Sequence, residues 1–224
     1  MTSYDLFRRL YYLDLLEASD TLWWPHAGSF DVVVGAILTQ QTQWPKVEAS
    51  LDNLRRLQLL SPEAIIKSPQ WIIAQAITPS GFYNTKAQRL IALCQAMIND
   101  FEDFDTFRES VTRSWLLRQK GIGAETADAI LCYGCGRDEM VVDSYTARLL
   151  QALGVFDQDE LFYETIKEWL CDGIHSHWDD LLSLYPYLPS HHQVYSQFHG
   201  MIVEFCKKYK SKDGCHIEVL ERDS

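Results

Sequence analysis

The chain has 224 residues, of which 47% are apolar and 12% aromatic, enough to bury the core of one large domain or two small lobes. Its formal charge of −11 argues against a general nucleic-acid binder, which is usually basic. No apolar run approaches the ~20 residues of a membrane-spanning helix, and the N-terminus lacks the basic and then apolar build of a signal peptide, so we expect a cytoplasmic protein without a membrane partner.

Apolar residues recur at helical spacing along most of the chain. In chain order the main faces are Leu6, Leu10, Leu13 and Leu16; Val33, Val34, Ile37 and Leu38; Ala87, Leu90, Ile91, Cys94, Met97 and Ile98; Leu161, Phe162, Thr165, Ile166, Trp169 and Leu170; and Tyr195, Phe198, Ile202 and Phe205. Strand patterns are limited to the short Val141-Val142 pair and an isolated alternation at residues 217–219. The sequence therefore predicts an all-α protein.

A glycine-containing turn lies between two of the helical runs. Gly121 and Gly123 permit a tight turn, and a helix pattern begins at Ala124. A turn of this kind leaves backbone N–H groups beside the positive end of the helix dipole, where phosphate binds. On spacing alone the pattern is more often an ordinary turn between helices, so the phosphate hypothesis depends on a second feature.

The second feature is Asp143, which follows the apolar residues 140–142. A carboxylate behind an apolar run is placed to be partly desolvated and to stabilise developing positive charge. A phosphate-binding turn followed by such a carboxylate suggests an enzyme that acts on the backbone or sugar of a nucleic acid.

Four segments in this order resemble the helix–hairpin–helix DNA glycosylase superfamily, whose best-known branch is endonuclease III. They are residues 37–42 (ILTQQT), residues 81–87 (GFYNTKA), the hairpin at residues 117–130, and Val142-Asp143. The resemblance runs from about residue 30 to residue 150. It implies a two-lobed all-α fold, in which residues 26–138 form a continuous lobe and residues 1–25 and 139–224 form the second.

The resemblance also implies how DNA is bound. The hairpin, with Lys120, Gly121 and Gly123, is expected to hold the phosphate backbone. Gln40 is expected to help fill the space left by a flipped base, and Phe82 to be the wedge that enters the duplex. From the residues alone, Phe82 is equally well explained as a cap of the following helix.

One departure from the family concerns the nucleophile. Bifunctional members have a Lys at the second position after the turn, and this Lys attacks the sugar. The matching residue here is Glu125, which cannot perform amine chemistry. The resemblance therefore implies a monofunctional glycosylase without lyase activity, in which Asp143 stabilises an oxocarbenium-like sugar and orients or activates water.

A second departure concerns metal. Many relatives hold an iron–sulfur cluster on four closely spaced cysteines near the C-terminus, where this chain has Cys206 and Cys215 alone. We therefore expect no cluster and no other cofactor. Cys132 and Cys135 have the C-x-x-C spacing of redox and metal sites but lack a second pair, so a metal role is disfavoured. Histidines 175, 177, 191 and 192 are interpreted as surface residues.

The base pocket is predicted from aromatic residues. Within the superfamily the chain most closely resembles small bacterial 3-methyladenine DNA glycosylases, in which a Trp-Trp-Pro segment, a later aromatic residue and a C-terminal Lys line the pocket. The matching residues are Trp23, Trp24, Pro25, Trp44 and Lys207. Stacking and cation–π attraction on such faces favour a cationic base. Without the resemblance, tryptophans are more often core residues.

These features together predict a monomeric, bacterial enzyme that binds double-stranded DNA with alkylated bases. It would excise 3-methyladenine by hydrolysing the N-glycosidic bond in base excision repair. Three alternatives stay open. An adenine–mismatch glycosylase would share the Gln-rich segment and Asp143, and a lyase-competent enzyme would need an amine nucleophile in the pocket. A non-catalytic helix–hairpin–helix module would not need Asp143.

Overall fold

The computed structural model describes residues 1–16, 22–211 and 214–220. Within these ranges the chain is mostly helical, which confirms the predicted all-α class. Its strands are Lys210–Ser211 (β1) and Gly214–Cys215 (β2), which pair antiparallel. No helix in the described ranges has the length and apolar character needed to cross a membrane.

The α-helices are, in chain order, α1 (Ser3–Tyr11), α2 (Phe30–Leu38), α3 (Trp44–Arg56), α4 (Pro62–Lys67), α5 (Gln70–Ala76), α6 (Tyr83–Phe101), α7 (Phe104–Ser110), α8 (Arg113–Leu117), α9 (Ala124–Ala129), α10 (Ser144–Ala152), α11 (Tyr163–Ser176), α12 (Trp178–Leu182) and α13 (His191–Lys208). Short 3₁₀ turns lie at Thr78–Ser80, Gln158–Glu160 and Ile217–Val219. Helix α9 continues directly into a π-helical turn at Ile130–Gly134.

The chain divides into two compact units. The central unit is Pro25–Arg137, and the terminal unit combines Met1–Trp24 with Asp138–Ser224. The central unit carries eleven acidic and eleven basic side chains, whereas the terminal unit carries twenty acidic and nine basic ones. The formal charge of −11 therefore belongs entirely to the terminal unit, and the unit that contains the hairpin is neutral.

The core of the central unit is built around α2, whose residues are all buried except Asp31. This helix packs against α3, α6, α9 and the π-helical turn. Helix α6 packs in turn against α4 and α5, and its buried residues include Ala87, Leu90, Cys94 and Met97 at helical spacing, as the sequence predicted. Helices α8 and α9 flank the glycine turn.

The core of the terminal unit is built around α13, which packs against α1 and α10. The predicted face Tyr195, Phe198, Ile202 and Phe205 is buried. A Ser190 capping box begins α13, because the Ser190 hydroxyl accepts from the Gln193 N–H while the Gln193 side chain accepts from the Ser190 N–H. Helix α13 thus has a fixed start and direction, which positions the residues described below.

The first helix ends earlier than its leucine repeat predicts. Leu6 and Leu10 are buried in α1, but the helix ends at Tyr11. The N–H of Leu13 then donates to Leu10, and Asp14 adopts a left-handed backbone with φ +46°. Leu13 and Leu16 are half-buried outside the helix, because this turn stops the helical path before it reaches them.

Candidate active site

Asp143 is the N-cap residue of α10, and its side chain accepts the capping hydrogen bonds. Its Oδ1 accepts hydrogen bonds from the backbone N–H groups of Tyr145 and Thr146, at 2.9 and 2.8 Å, and from the Thr146 hydroxyl at 3.0 Å. The local sequence explains this arrangement, since an Asp before a helical run is a preferred N-cap. These capping bonds fix Oδ1, and the other carboxylate oxygen, Oδ2, takes no part in them.

Oδ2 of Asp143 lies 3.6 Å from Nε2 of His199 on α13, and the two side chains are only 15% and 4% exposed. Burial raises the pKa of Asp143, but His199 and the hydrogen bonds from Thr146 outweigh this effect and bring the pKa below its ordinary value. Asp143 is therefore an ionised, largely buried carboxylate at neutral pH, as an electrostatic catalyst requires.

Trp23 lies beside the same histidine. The Trp23 and His199 rings meet edge to face with centroids 5.2 Å apart. The next residue of α13 is Gly200, where a Cβ would lie 2.4 Å from Cγ of Trp23. The indole therefore rests directly on the backbone of α13, and only glycine leaves room for it there. Trp24 is nearly buried and meets Trp23 at a right angle.

Lys207 pairs with an acid on its own helix. Its Nζ lies 2.8 Å from Oε1 of Glu204 and 5.5 Å from the centroid of the Trp23 ring. The Trp23 indole N–H also donates to Glu204 Oε1, at 3.2 Å. Glu204 thus offsets the positive charge of Lys207 and orients the ring.

The predicted site residues fall in both units. Asp143, Trp23, Trp24 and Lys207 belong to the terminal unit, which brings them together around α13. The central unit holds the others, which are Pro25, Gln40, Trp44, Phe82, Lys120, Gly121 and Gly123. Of the two pocket residues in that group, Pro25 is exposed, and Trp44 is half-buried as the first residue of α3.

The glycine turn of the hairpin is tightly supported. Gly121 has φ +85°, and a Cβ there would lie 2.4 Å from Nε of Arg89. Buried Asp128 on α9 forms a two-point ion pair with Arg113 on α8, with oxygen–nitrogen distances of 2.7 and 3.2 Å. This pair joins the two helices of the hairpin and fixes their geometry. The outward side of the turn stays open, since Gly123 is exposed and a Cβ there would meet nothing within 4 Å.

Two charged residues border the turn. Lys120 before it and Glu125 after it are both exposed. Lys120 is therefore accessible to a phosphate. Glu125 begins α9 with an acid, which suits the positive end of a helix dipole.

Gln40 is half-buried, and its side-chain amide contacts the hairpin. Its amide nitrogen donates to the Gly121 carbonyl at 2.9 Å and to the Thr126 hydroxyl at 3.1 Å, while its oxygen accepts from Arg89 at 2.8 Å. Both ends of the amide are thus used within the central unit. The next residue, Gln41, is exposed and has a left-handed backbone with φ +54°. Gln41 is therefore more accessible to solvent than Gln40.

Phe82 occupies the tip of a loop. It follows Gly81, has a left-handed backbone with φ +46°, and its side chain is 68% exposed. Phe82 is also the N-cap residue of α6, and its carbonyl accepts from the Lys86 N–H, but its side chain makes no capping hydrogen bond. Together with Gln41, Gln43 and Pro79 it lines a shallow cleft of about 330 Å³ in the central unit.

The cysteines and histidines are not arranged as a metal site. Among the residues that the structure describes, no group of three or more His, Cys, Asp or Glu side chains has a metal-binding arrangement. Burial raises the pKa of Cys135 to about 12, which opposes thiolate chemistry at the C-x-x-C pair. His175 is exposed, as the sequence predicted, although its ring is hydrogen-bonded to Tyr195. The other three histidines are half-buried, and His191 stacks on Trp178 at 3.8 Å.

Three residues of the site escaped the sequence reasoning, namely His199, Gly200 and Glu204. All three lie on α13, interspersed with the predicted core residues and before Lys207. Glu204 is three residues before Lys207 and Gly200 is four before Glu204, and this spacing was a usable signal because residues three and four apart share one helix face. Their partners Asp143 and Trp23 are distant in sequence, so the contacts required the tertiary structure.

Comparisons with known proteins agree with this geometry. The family model for the HhH-GPD superfamily base excision DNA repair protein matches residues 34–171. A protein of Methanocaldococcus jannaschii named as a DNA repair glycosylase is 33% identical, over 96% of this chain and 95% of its own length. The structure of H. pylori 3-methyladenine DNA glycosylase (MagIII), bound to 1,N6-ethenoadenine, is similar with a TM-score of 0.89 and 39% identity, over 94% of this chain and 100% of that one. A trapped endonuclease III–DNA intermediate shares the fold, with a TM-score of 0.72 and 17% identity over 97% of this chain and 92% of its own.

Proposed function

Since this chain belongs to the HhH-GPD superfamily of base excision DNA repair proteins and is a DNA glycosylase, we propose that it excises alkylated, cationic bases from double-stranded DNA. Its principal substrate is 3-methyladenine. The enzyme hydrolyses the N-glycosidic bond and leaves an abasic site without cleaving the strand. The similarity to MagIII, at 39% identity over nearly the whole chain, supports this choice of base.

The observation that carries the proposal is the position of Trp23 beside the Asp143–His199 pair. The half-buried indole is fixed against Gly200 and by its bond to Glu204, so it offers a preorganised aromatic surface near the carboxylate. A cationic base is attracted to such a surface by about 0.5–2 kcal/mol, depending on desolvation. Stacking adds ~1–3 kcal/mol per base. Neutral adenine lacks the cation–π contribution.

The chemistry assigned to Asp143 follows from its charge. An N3-alkylated adenine is already positively charged, so it departs with the bonding electrons and needs little help from a general acid. The sugar then carries positive charge, which the ionised Asp143 stabilises. Water adds at the anomeric carbon and gives up a proton to the Asp143 carboxylate. With its Oδ1 fixed by the helix cap, Asp143 presents Oδ2 for these roles.

The absence of lyase chemistry is proposed from Glu125. Strand cleavage by this superfamily uses an amine that forms a Schiff base with the sugar, and Glu125 occupies the position of that amine. Lys120 precedes the turn and is assigned to phosphate contact instead. We further propose that the protein acts as a monomer and needs neither an iron–sulfur cluster nor another cofactor.

DNA binding is assigned to the central unit. Its glycine turn offers backbone N–H groups on an open surface, and Lys120 adds one positive charge. The exposed Phe82 acts as the wedge beside the vacated position, and Gln41 replaces Gln40 as the residue that fills it. Because the central unit is neutral and contacts few phosphates, its affinity for DNA should be modest and should fall as the salt concentration rises.

The proposal is tested by incubating the protein with dimethyl sulfate-treated duplex DNA and identifying the released bases by chromatography. Wild type should release 3-methyladenine without strand cleavage, and Asp143→Asn should release almost none. Asn is also a preferred N-cap, so this variant keeps α10 while removing the charge. Borohydride should trap no covalent complex with DNA.

Two results would change the assignment. Intact methylated bases after incubation with folded wild type would refute the alkylated-base substrate, and excision from adenine mismatches would then identify the alternative substrate. Borohydride trapping would show an amine nucleophile and refute the monofunctional mechanism. Iron analysis of the purified protein tests the cofactor assignment, and bound iron in stoichiometric amount would contradict it.

A further inference from the structure

Lys86 is a buried lysine that no step above uses. It lies in the first turn of α6, and only 2% of its surface is exposed. Its Nζ makes three hydrogen bonds of 2.8 Å, to the Leu38 carbonyl, the Thr42 hydroxyl and the Ser80 carbonyl. A lysine ammonium has three donors and no acceptor, so all of its donors are used.

The three acceptors belong to segments that the proposed function assigns to DNA. Leu38 ends α2, and Thr42 follows Gln41 in the glutamine segment, residues 39–43. Ser80 belongs to the wedge loop, residues 78–82, which ends at Phe82. The Thr42 hydroxyl also donates to the Ser80 carbonyl at 2.6 Å. Lys86 and Thr42 therefore join the glutamine segment directly to the wedge loop.

The same helix connects these segments to the hairpin. Arg89 lies three residues after Lys86 on α6, and it donates to the Gln40 amide oxygen. Gln40 in turn donates to the Gly121 carbonyl of the hairpin. The Thr42 hydroxyl, which accepts from Lys86, lies 3.2 Å from the Gln40 carbonyl and connects the two sets of bonds. A polar network thus extends through the glutamine segment, the wedge loop and the glycine turn.

We propose that Lys86 is a positioning residue for base flipping, which holds the glutamine segment and the wedge loop in one fixed relation before DNA binds. This inference rests on the proposed function of those two segments. Lys86 has no contact with substrate in this role. It acts through Phe82 and Gln41, whose backbones both have positive φ and whose directions depend on the loops that Lys86 joins.

Burial of this charge argues for a role beyond folding. Burial, with a smaller contribution from Arg89, lowers the pKa of Lys86 to about 8. The ammonium form is therefore less favourable in the folded protein than in water, although it still predominates at pH 7. A core position with no positional demand is normally filled by an apolar side chain. A buried ion that makes three directed bonds instead specifies one arrangement of its partners.

The test compares excision from one dimethyl sulfate-treated strand, either alone or annealed to its complement, under single-turnover conditions. Only the annealed strand requires the base to be withdrawn from a duplex. Lys86→Met should lower the rate on annealed DNA by about 10²-fold, as displacements near 1 Å do in preorganised sites. Its rate on the single strand should change little. The ratio of the two rates is the readout, because loss of folded protein lowers both equally.

Two further variants separate positioning from stability. Met97→Ala creates a cavity in the core of the same helix and should leave the rate ratio as in wild type. Should Lys86→Met not fold, Thr42→Val removes one acceptor of Lys86 together with the bond to Ser80. Like Lys86→Met, Thr42→Val should lower the rate on annealed DNA more than the rate on the single strand. An equal loss of rate on the single strand and on the annealed DNA, or an unchanged rate on the annealed DNA, would overturn the inference.

A second readout keeps this test separate from that of the proposed function. Duplex DNA with an abasic-site analogue beside 2-aminopurine gains fluorescence when a bound protein unstacks the neighbouring base. Wild type should produce this gain and Lys86→Met should not, at protein concentrations that saturate both. If wild type releases no methylated base, the substrate assignment fails, while the fluorescence still decides the role of Lys86. The same gain with both proteins would refute that role.

Discussion

Nε2 of His199 lies 3.6 Å from Oδ2 of Asp143, and the histidine and Trp23 rings also meet edge to face. One side chain of α13 thus touches both the carboxylate assigned to the sugar and the indole assigned to the base. Because His199 is nearly fully buried, it has little freedom to move away from either. The distance between carboxylate and indole is therefore set by a residue that takes part in neither role directly.

We predict that His199→Gln lowers the single-turnover rate of excision by about tenfold, which corresponds to ~1.4 kcal/mol of transition-state stabilisation. Asp143 keeps its helix cap in this variant but loses a neighbour that lowers its pKa. Affinity for duplex DNA should be unchanged in a titration. His216→Gln, at an exposed position of the same unit, is the control and should keep the wild-type rate. An unchanged rate in His199→Gln would show that the contact is dispensable.

The lowered pKa of Asp143 predicts a pH dependence of stability. A carboxylate whose folded pKa is below its unfolded pKa contributes stability above the unfolded value, near 3.9, and this is lost as pH falls through the folded value. Wild type should therefore lose stability relative to Asp143→Asn between about pH 5 and pH 2, where the carboxylate gains its proton. Urea denaturation at several pH values measures the difference, and a constant difference would contradict the assignment.

Gly200 should not tolerate even one additional methyl group. In Gly200→Ala the new Cβ would overlap Trp23, whose ring must move, at a cost of about 1–3 kcal/mol in the free energy of unfolding. Release of 3-methyladenine should fall because the stacking surface is displaced. Gly134→Ala is the matched control, since its Cβ would make an ordinary 3.5 Å contact with Val32. Equal activity of both variants would show that the position of Trp23 does not matter.

The two neighbouring glutamines should behave differently. Gln40→Ala breaks three hydrogen bonds and leaves the Gly121 carbonyl without this donor, so it should destabilise the protein by about 1–3 kcal/mol. Gln41→Ala should change stability by less than about 0.5 kcal/mol, because the side chain is exposed. It should nevertheless reduce excision from duplex DNA. Thermal denaturation and excision assays on both variants decide the matter, and the opposite pattern would restore Gln40 as the gap-filling residue.

The two glycines of the hairpin turn should also separate folding from binding. Gly121→Ala places a side chain at φ +85° against Arg89, so it should destabilise by at least about 1 kcal/mol. Gly123→Ala fits the fold, because φ is −94° and the space is open. Its methyl group covers the N–H groups assigned to phosphate, so affinity for duplex DNA should fall while stability is kept. Wild-type affinity in Gly123→Ala would contradict the phosphate assignment.

Helical periodicity was sufficient to predict the all-α class, and the resemblance of four ordered motifs to a known family indicated the superfamily. These features are local, because a helix needs only its own spacing and caps. The early end of α1 was missed because its leucine repeat continues beyond the residue at which the chain turns. The hairpin was recognisable because Gly121 needs a positive φ, which is a property of the backbone at a single residue.

The sequence by itself determined the residue types available for chemistry, including Asp143, the tryptophan pair and Glu125 in place of an amine. Only the tertiary structure decided which side chains meet. It placed His199 beside Asp143, Trp23 on Gly200, and Gln40 and Lys86 inside a polar network. The physical reason is that hydrogen bonds and close packing depend on distances of a few tenths of an ångström between residues far apart in the chain. Local patterns of spacing and composition contain no information about such distances.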